Sequence, residues 1–234
     1  MQFSRPIWIT AGAPRVPVDG VRYLTAAATG ATAAELAGIL RARRDLALSG
    51  LNCLCSQDAL ACHAAHRDHP TLFDRFETFT TYAELAAQLQ SALQADTRAA
   101  VIMSAAVNDY EVARVEAPAA GLSIDPAIHP GAKLPSGLTD VAIRLKPTAK
   151  IIERIRREWA PDAYLVGFKN EPADTVVAAA RKLLERADCH LVVANSIGLD
   201  YNAIVRKNGA LEPYPARRTM LDALARLLLH EDGM

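Results

Sequence analysis

The chain has 234 residues, and its 26 lysines and arginines are balanced by 26 aspartates and glutamates. That balance excludes the broad basic field with which proteins gather nucleic acid or an anionic membrane surface, leaving room only for a local patch that takes a small anion. The opening MQFSRPIWITAG enters a strand-like run without a signal-peptide pattern, and no stretch of 18 apolar residues follows. The expectation is a cytoplasmic protein that forms a single domain over residues 1–234, with no nucleic-acid or membrane partner and with Cys53, Cys55, Cys62 and Cys189 as thiols.

Strands and helices alternate along the chain. RPIWITAG (5–12) reads as a strand, and PRVPVDGVRYL (14–24) as a connection punctuated by Pro and Gly. Residues 32–47 place Leu36, Ile39 and Leu40 on one helical stripe. LNCLC (51–55) is a second strand, and residues 61–76 read as loop or short helix interrupted by Pro70. A helix over 81–95 begins at Thr81, with Glu84 completing a capping box. AAVIMSAA (99–106) is a continuous apolar strand of the kind buried in parallel sheets.

Residues 107–136 mix Pro, Gly, Ala and charge without a helical stripe and read as a long flap loop. Its Val112, Val115, Leu122, Ile124 and Ile128 call for something to pack against. Strands at 141–148, 163–171 and 190–196 then alternate with helices at 149–159 and 174–187. A hairpin turning at Asn208-Gly209 and an amphipathic helix over 216–231 close the chain. The fold class is α/β: a Rossmann-like, three-layer, mostly parallel sheet with helices on both faces and a C-terminal hairpin.

In such a sheet, ligands bind at the carboxyl ends of the strands. Those ends are Thr10–Arg15, Ser104–Tyr110, Phe168–Glu171 and Ala194–Ile197. In ITAGAPR, Gly12 would let backbone approach a phosphate, with Arg15 and Arg22 neutralising it; taken alone, the stretch fits an ordinary turn with two solvated arginines better. Asp109 could hold Mg²⁺, accept from a hydroxyl, orient a base, or simply cap a turn. Lys133, between Pro/Gly turns, is either a cation that closes over phosphate or one more surface lysine. Cys62, His63, His66 and His69 crowd together, but Cys62 and His63 are adjacent, which suits a solvated loop better than a tetrahedral zinc site. No G-x-G-x-x-G fingerprint, P-loop or nucleophile elbow is present, so a nicotinamide-linked oxidoreductase and covalent hydrolysis have little support.

Taken in order, ITAGAPRVPVDGVRYL, SAAVNDY, AKLPSG with IRLKPTAKII, WAPDAYLVGFKNE and HLVVANS resemble the phosphopantothenate–cysteine ligase (phosphopantothenoylcysteine synthetase) family, nearest its free-standing members. The resemblance implies a ligase of coenzyme A biosynthesis. It would activate 4′-phosphopantothenate with Mg²⁺ and ATP or CTP as an acyl-nucleotidylate, which cysteine then attacks to form an amide. It implies Lys133, Asp109 and Arg22 as catalytic residues. Gly12, Ala106, Asp109, Lys133, Phe168 and Asn195 would surround the nucleotide, and Arg15, Arg22, Thr29 and Gly30 the acyl substrate. It also implies a homodimer in which the flap reaches the neighbouring subunit.

One departure stands out. The family's loop after the arginine carries an asparagine, and ungapped counting from Arg22 puts Ala26 there; the paired serines are reduced to Thr29. An alanine side chain neither donates nor accepts a hydrogen bond. The alternative is therefore a divergent paralogue that binds nucleotide but ligates another carboxylate, or ligates nothing.

Overall fold

Apolar runs bounded by turn residues become the strands of one eight-stranded sheet. The computed structural model describes residues 2–3, 5–43, 47–48, 50–62, 70–129, 131–198 and 200–230. In chain order the sheet contains β1 (Ile7–Ala11), β2 (Leu51–Ser56), β3 (Arg75–Phe79), β4 (Ala100–Met103), β5 (Tyr164–Glu171), β6 (Leu191–Ser196), β7 (Asn202–Arg206) and β8 (Leu211–Tyr214). Its spatial order is β3-β2-β1-β4-β5-β6-β7-β8. The first six strands pair in parallel and the last two form an antiparallel hairpin. This is the doubly wound order, whose direction reverses between β1 and β4.

Period-two alternation in the strands divides the core in two. Ile7, Ile9 and Cys53 face Leu36 and Leu40 of α1 (Ala31–Ala42) and Met220 and Leu224 of α6 (Arg217–His230). Trp8, Leu54 and Val101 face the opposite way. There they meet α3 (Tyr82–Ala95), α4 (Ile151–Arg154, continued by a π-turn over Ile155–Trp159) and α5 (Val176–Arg186). Burying a leucine as fully as Leu36 or Leu89 contributes about 2 kcal/mol. A short α2 (Gln57–Cys62) follows β2.

Local signals act where the sequence places them. Thr81 accepts from the Glu84 amide while the Glu84 carboxylate accepts from the Thr81 amide, giving α3 its capping box. The β7–β8 hairpin turns at Gly209 with φ 89°, a conformation that costs glycine nothing. Helix α1 ends at Ala42, short of the expected 47. Strand β3, which begins at the end of the stretch read as loop or short helix, pairs along the outer edge of β2.

The flap departs most from expectation. Within 107–136, Tyr110–Ala117 and Leu122–Ile124 are strands, and they form a separate antiparallel sheet with Ala142–Pro147. The last of these is the strand expected at 141–148, now outside the central sheet. Val112, Val115 and Ile124 pack with Val16, Val18 and Leu134 in a small core of their own, whereas Ile128 is exposed. A pair of two-residue strands, Val16–Pro17 and Tyr23–Leu24, folds the connection after β1 back on itself beneath this flap.

Candidate functional site

At the switch point between β1 and β4 the two strand ends are joined, the Ala106 amide donating to the Gly12 carbonyl at 2.8 Å. Gly12 has φ 78°, and a Cβ there would lie 2.1 Å from Ser56 Oγ and 2.6 Å from Ala59 Cβ. Only glycine fits. Ser56 Oγ accepts from the amides of Ala13 and Ala59, each at 3.2 Å, tying the end of β2 to the same corner. Asn108 Nδ2 donates to the Pro14 carbonyl at 2.9 Å, and Thr148 Oγ1 donates to the Asn108 carbonyl at 2.9 Å.

A cavity of about 500 Å³ opens beside this corner, bounded by residues 103–109, 149–153, 168–171 and one face of α5. Ala106, Asp109 and Phe168 of the expected nucleotide set line it together. Gly167 packs behind two of its lining side chains: a Cβ there would lie 3.1 Å from Leu183 and 3.3 Å from Ile152. The rim is charged. Lys150 pairs with Asp109, Lys169 with Glu171 at 2.8 Å, and Arg186 with Glu153 at 2.5 Å. Lys150 is a site candidate that the sequence hid inside the expected helix at 149–159, although it precedes the helix proper and faces the strand ends.

The remaining expected residues lie on other elements. Arg15 makes a two-pronged bond to Asp58, Nε to Oδ2 at 2.8 Å and Nη2 to Oδ1 at 2.5 Å, and its guanidinium stacks 4.2 Å above the Tyr23 ring. The Asp58 bond holds Arg15 well above the usual guanidinium range, and Arg15 in turn draws Asp58 below the usual carboxylate range. With that guanidinium committed, Arg15 acts here as a brace between β1 and α2. Asn195 also turns elsewhere: its Nδ2 donates to Asn202 Oδ1 at 2.9 Å on the α6 side of the sheet. Lys133 is exposed on the flap.

Arg22 is half exposed, with one Nη donating to Asp19 at 2.5 Å. Gly30 takes φ 78° ahead of α1, which has no side-chain cap. Thr29 Oγ1 accepts from the Ala31 amide at 3.4 Å, and Ala26 sits half-buried in the loop between. The Arg217 guanidinium of α6 reaches Thr32 Oγ1 at 2.5 Å in the first turn of α1. Helix starts carry unsatisfied N–H groups that suit anions.

Among the described residues no cluster of three or more His, Cys, Asp or Glu side chains could hold a metal ion. His63, His66 and His69 of the zinc reading lie outside the described residues. Cys53, Cys55 and Cys189 are buried. Burial pushes the Cys189 thiol up to about 12, leaving it no thiolate character near neutral pH. No described helix is long and apolar enough to cross a membrane.

Residues 3–212 match the model of the DNA/pantothenate metabolism flavoprotein C-terminal domain. The chain is 28% identical over 208 residues to the coenzyme A biosynthesis bifunctional protein CoaBC of Thermococcus kodakarensis, a match covering 86% of this chain and 44% of the relative. It is 33% identical over 122 residues to human phosphopantothenate–cysteine ligase, covering 50% of this chain and 35% of that protein. The chain thus spans less than half the length of these curated relatives. Among solved structures, the DNA/pantothenate metabolism flavoprotein from Streptococcus pneumoniae superposes with a TM-score of 0.72 at 24% identity, covering 97% of both chains. A Cab2 variant in complex with phosphopantothenate-cysteine gives 0.71 at 16% identity, covering 96% of this chain and 85% of the other. Both share the fold.

Proposed function

We propose a function on the premise that this chain belongs to the DNA/pantothenate metabolism flavoprotein C-terminal domain family. It is a nucleotide-dependent ligase that joins 4′-phosphopantothenate to L-cysteine in coenzyme A biosynthesis. The observation that carries this reading is the strand-end cavity, where Ala106, Asp109 and Phe168 meet at the switch point of a doubly wound sheet. The curated relatives supply its chemical class, because both are named for coenzyme A biosynthesis or for the ligase itself.

In this reading ATP or CTP occupies the cavity, with Phe168 and the backbone of residues 104–107 against the base and ribose. Asp109 and Lys150 exchange their mutual ion pair for contacts to the nucleotide. Lys133 and Arg22 face the two anionic substrates, whose mutual repulsion must be offset before carboxylate and α-phosphate can meet. Magnesium suits this donor set as a companion of the triphosphate, held by phosphate oxygens and at most one or two carboxylates. Bound there, it would neutralise charge on departing pyrophosphate. The uncapped start of α1, with Gly30, Thr29 and Arg217 beside it, is the anion-facing surface nearest Gly12.

The chain acts as a cytoplasmic homodimer. Ile143 and Leu145, on the flap strand whose outer edge has no partner strand among the described residues, and Val141 just before it are 39–48% exposed, an apolar patch that a second copy would cover. One observation favours a second reading. Ala26 supplies no hydrogen bond where the family uses asparagine, which suits a paralogue acting on another carboxylate. Mass spectrometry of the product formed from nucleotide, 4′-phosphopantothenate and cysteine separates the two: the amide supports the ligase, and unreacted acid with bound nucleotide supports the paralogue.

A further inference from the structure

Asp19 is a charged side chain with no exposed surface, and nothing above gives it a role in the reaction. Its Oδ1 accepts from the amides of Val21 at 2.9 Å and Arg22 at 2.6 Å. Its Oδ2 accepts from the Arg22 guanidinium at 2.5 Å and from the amide of Leu134, 115 residues away in sequence, at 3.0 Å. Burial alone would raise this carboxyl, but the amides of Val21, Leu134 and Arg22 and the Arg22 guanidinium outweigh it and hold the group at about 2.

The neighbouring residue makes the second half of the clasp. Gly20 donates its amide to the Ala132 carbonyl at 2.6 Å. A Cβ at Gly20 would fall 2.7 Å from the Gly131 carbonyl oxygen, so the two backbones touch where only glycine allows it. Lys133 is therefore bracketed: the residue before it is held by Gly20, and the residue after it by Asp19. Leu134 completes the anchor by packing with Val16, Val18, Val112 and Val115.

We propose that Asp19 is a positioning residue that sets Arg22 and Lys133 as one unit, fixing the backbone of both cations while leaving their charged ends toward solvent. The proposal rests on the reading that these two cations face anionic substrate. Arg22 is 49% exposed at its side chain and spends one Nη on Asp19, leaving donors for a phosphate. Lys133 presents an exposed side chain on a main chain held at both neighbours, which lowers the ordering cost at binding. A buried carboxylate with four donors is replaceable by neither amide nor alkyl, because either leaves a donor without an acceptor.

The test uses the full chain with Asp19→Asn, Asp19→Glu and Gly20→Ala, the last prying the flap away while keeping the carboxylate. Trypsin cleavage at the Lys133–Leu134 bond reads the clasp without any substrate. Asp19→Asn and Gly20→Ala are expected to speed it about tenfold, while cleavage elsewhere stays at the wild-type rate. Asp19→Glu, which keeps the charge, is expected to restore part of the protection. In pyrophosphate release, Asp19→Asn is expected to raise KM for 4′-phosphopantothenate more than it lowers kcat, and to combine less than additively with Lys133→Ala. Wild-type cleavage at Lys133 in both Asp19→Asn and Gly20→Ala overturns the proposal, as do strictly additive effects with Lys133→Ala. A wild-type protein without pyrophosphate release overturns the ligase reading instead, while the cleavage pattern still decides whether Asp19 holds the flap.

Discussion

The ammonium of Lys150 rests on the carboxylate of Asp109 at the rim of the strand-end cavity. Asp109 is 61% exposed and Lys150 34%, and an ion pair so exposed adds about 0–1 kcal/mol to stability. Its value lies in what the two groups can reach when a nucleotide enters. Lys150→Ala is therefore expected to leave the melting temperature nearly unchanged and to weaken ATP or CTP binding about tenfold, the loss of one charge-assisted hydrogen bond. Titration calorimetry with both nucleotides, beside thermal melting, separates the two effects. Equal losses in both would make the pair merely structural.

Gly12→Ala is expected to be among the most damaging small substitutions in the chain. The added methyl would overlap Ser56 Oγ and Ala59 Cβ, at 2.1 and 2.6 Å, on a residue with φ 78°. Overpacking and left-handed strain together cost about 2–4 kcal/mol. Denaturant unfolding measures the loss. A drop below about 1 kcal/mol would mean that the corner between β1, β2 and β4 yields more easily than its contacts indicate.

Burial, with Arg156 and Lys207 close by, lowers His190 from 6.5 to about 4, against a smaller opposing pull from Asp188. Its ring stacks on Tyr164 at 4.4 Å, and its Nδ1 accepts from the Leu165 amide at 3.1 Å, a bond only the neutral ring can accept. The unfolded state takes up the proton first. Stability from this group is therefore fully present above pH 6.5, declines as pH falls from 6.5 toward 4, and is constant below. Allowing for solvent, the decline is about 1–2 kcal/mol. Urea midpoints across that range should fall in the wild type and flatten in His190→Gln; an unchanged slope would assign the acid sensitivity to other groups.

Leu145→Asp places a charge in the exposed apolar row of the flap strand. If that row is the dimer contact, light scattering at micromolar concentration is expected to change from dimer to monomer. Thermal stability of the central sheet should be untouched. A wild-type monomer would remove the dimer from the account.

Much of the central sheet is legible in the sequence because its strands are continuous apolar runs and its helices are amphipathic or capped, as at Thr81 and Glu84. In the flap sheet Ala142–Pro147 is legible too, but Tyr110–Ala117 is not, and the cause is a bulge. Val112 pairs with Leu145 and Arg114 with Arg144, so Ala113 is the extra residue. It leaves the buried Val112 and Val115 three apart and hides the period of two that identifies a strand. Strand β3 escapes notice because it is an edge strand with Arg75 and Glu77 on it.

The site divides in the same way. Gly12, Ala106, Asp109 and Phe168 fall where the strand-end rule looks for a ligand, and the last three line the cavity. Arg15 and Asn195 fall at strand ends as well, yet their partners, Asp58 and Asn202, come from elsewhere in the fold and turn them to structural work. Asp19 had a signal, the Asp-Gly turn, which read only as punctuation because its fourth donor is 115 residues distant.

Pyrophosphate release from ATP or CTP with Mg²⁺ and 4′-phosphopantothenate, with and without cysteine, is the decisive measurement for the proposed ligase. Release is expected to require 4′-phosphopantothenate and to be stimulated by cysteine, achieved by Arg22, Thr29 and Lys133 despite Ala26. Nucleotide binding without release under any of these conditions would contradict it, leaving a nucleotide-binding paralogue whose acyl substrate is another carboxylate.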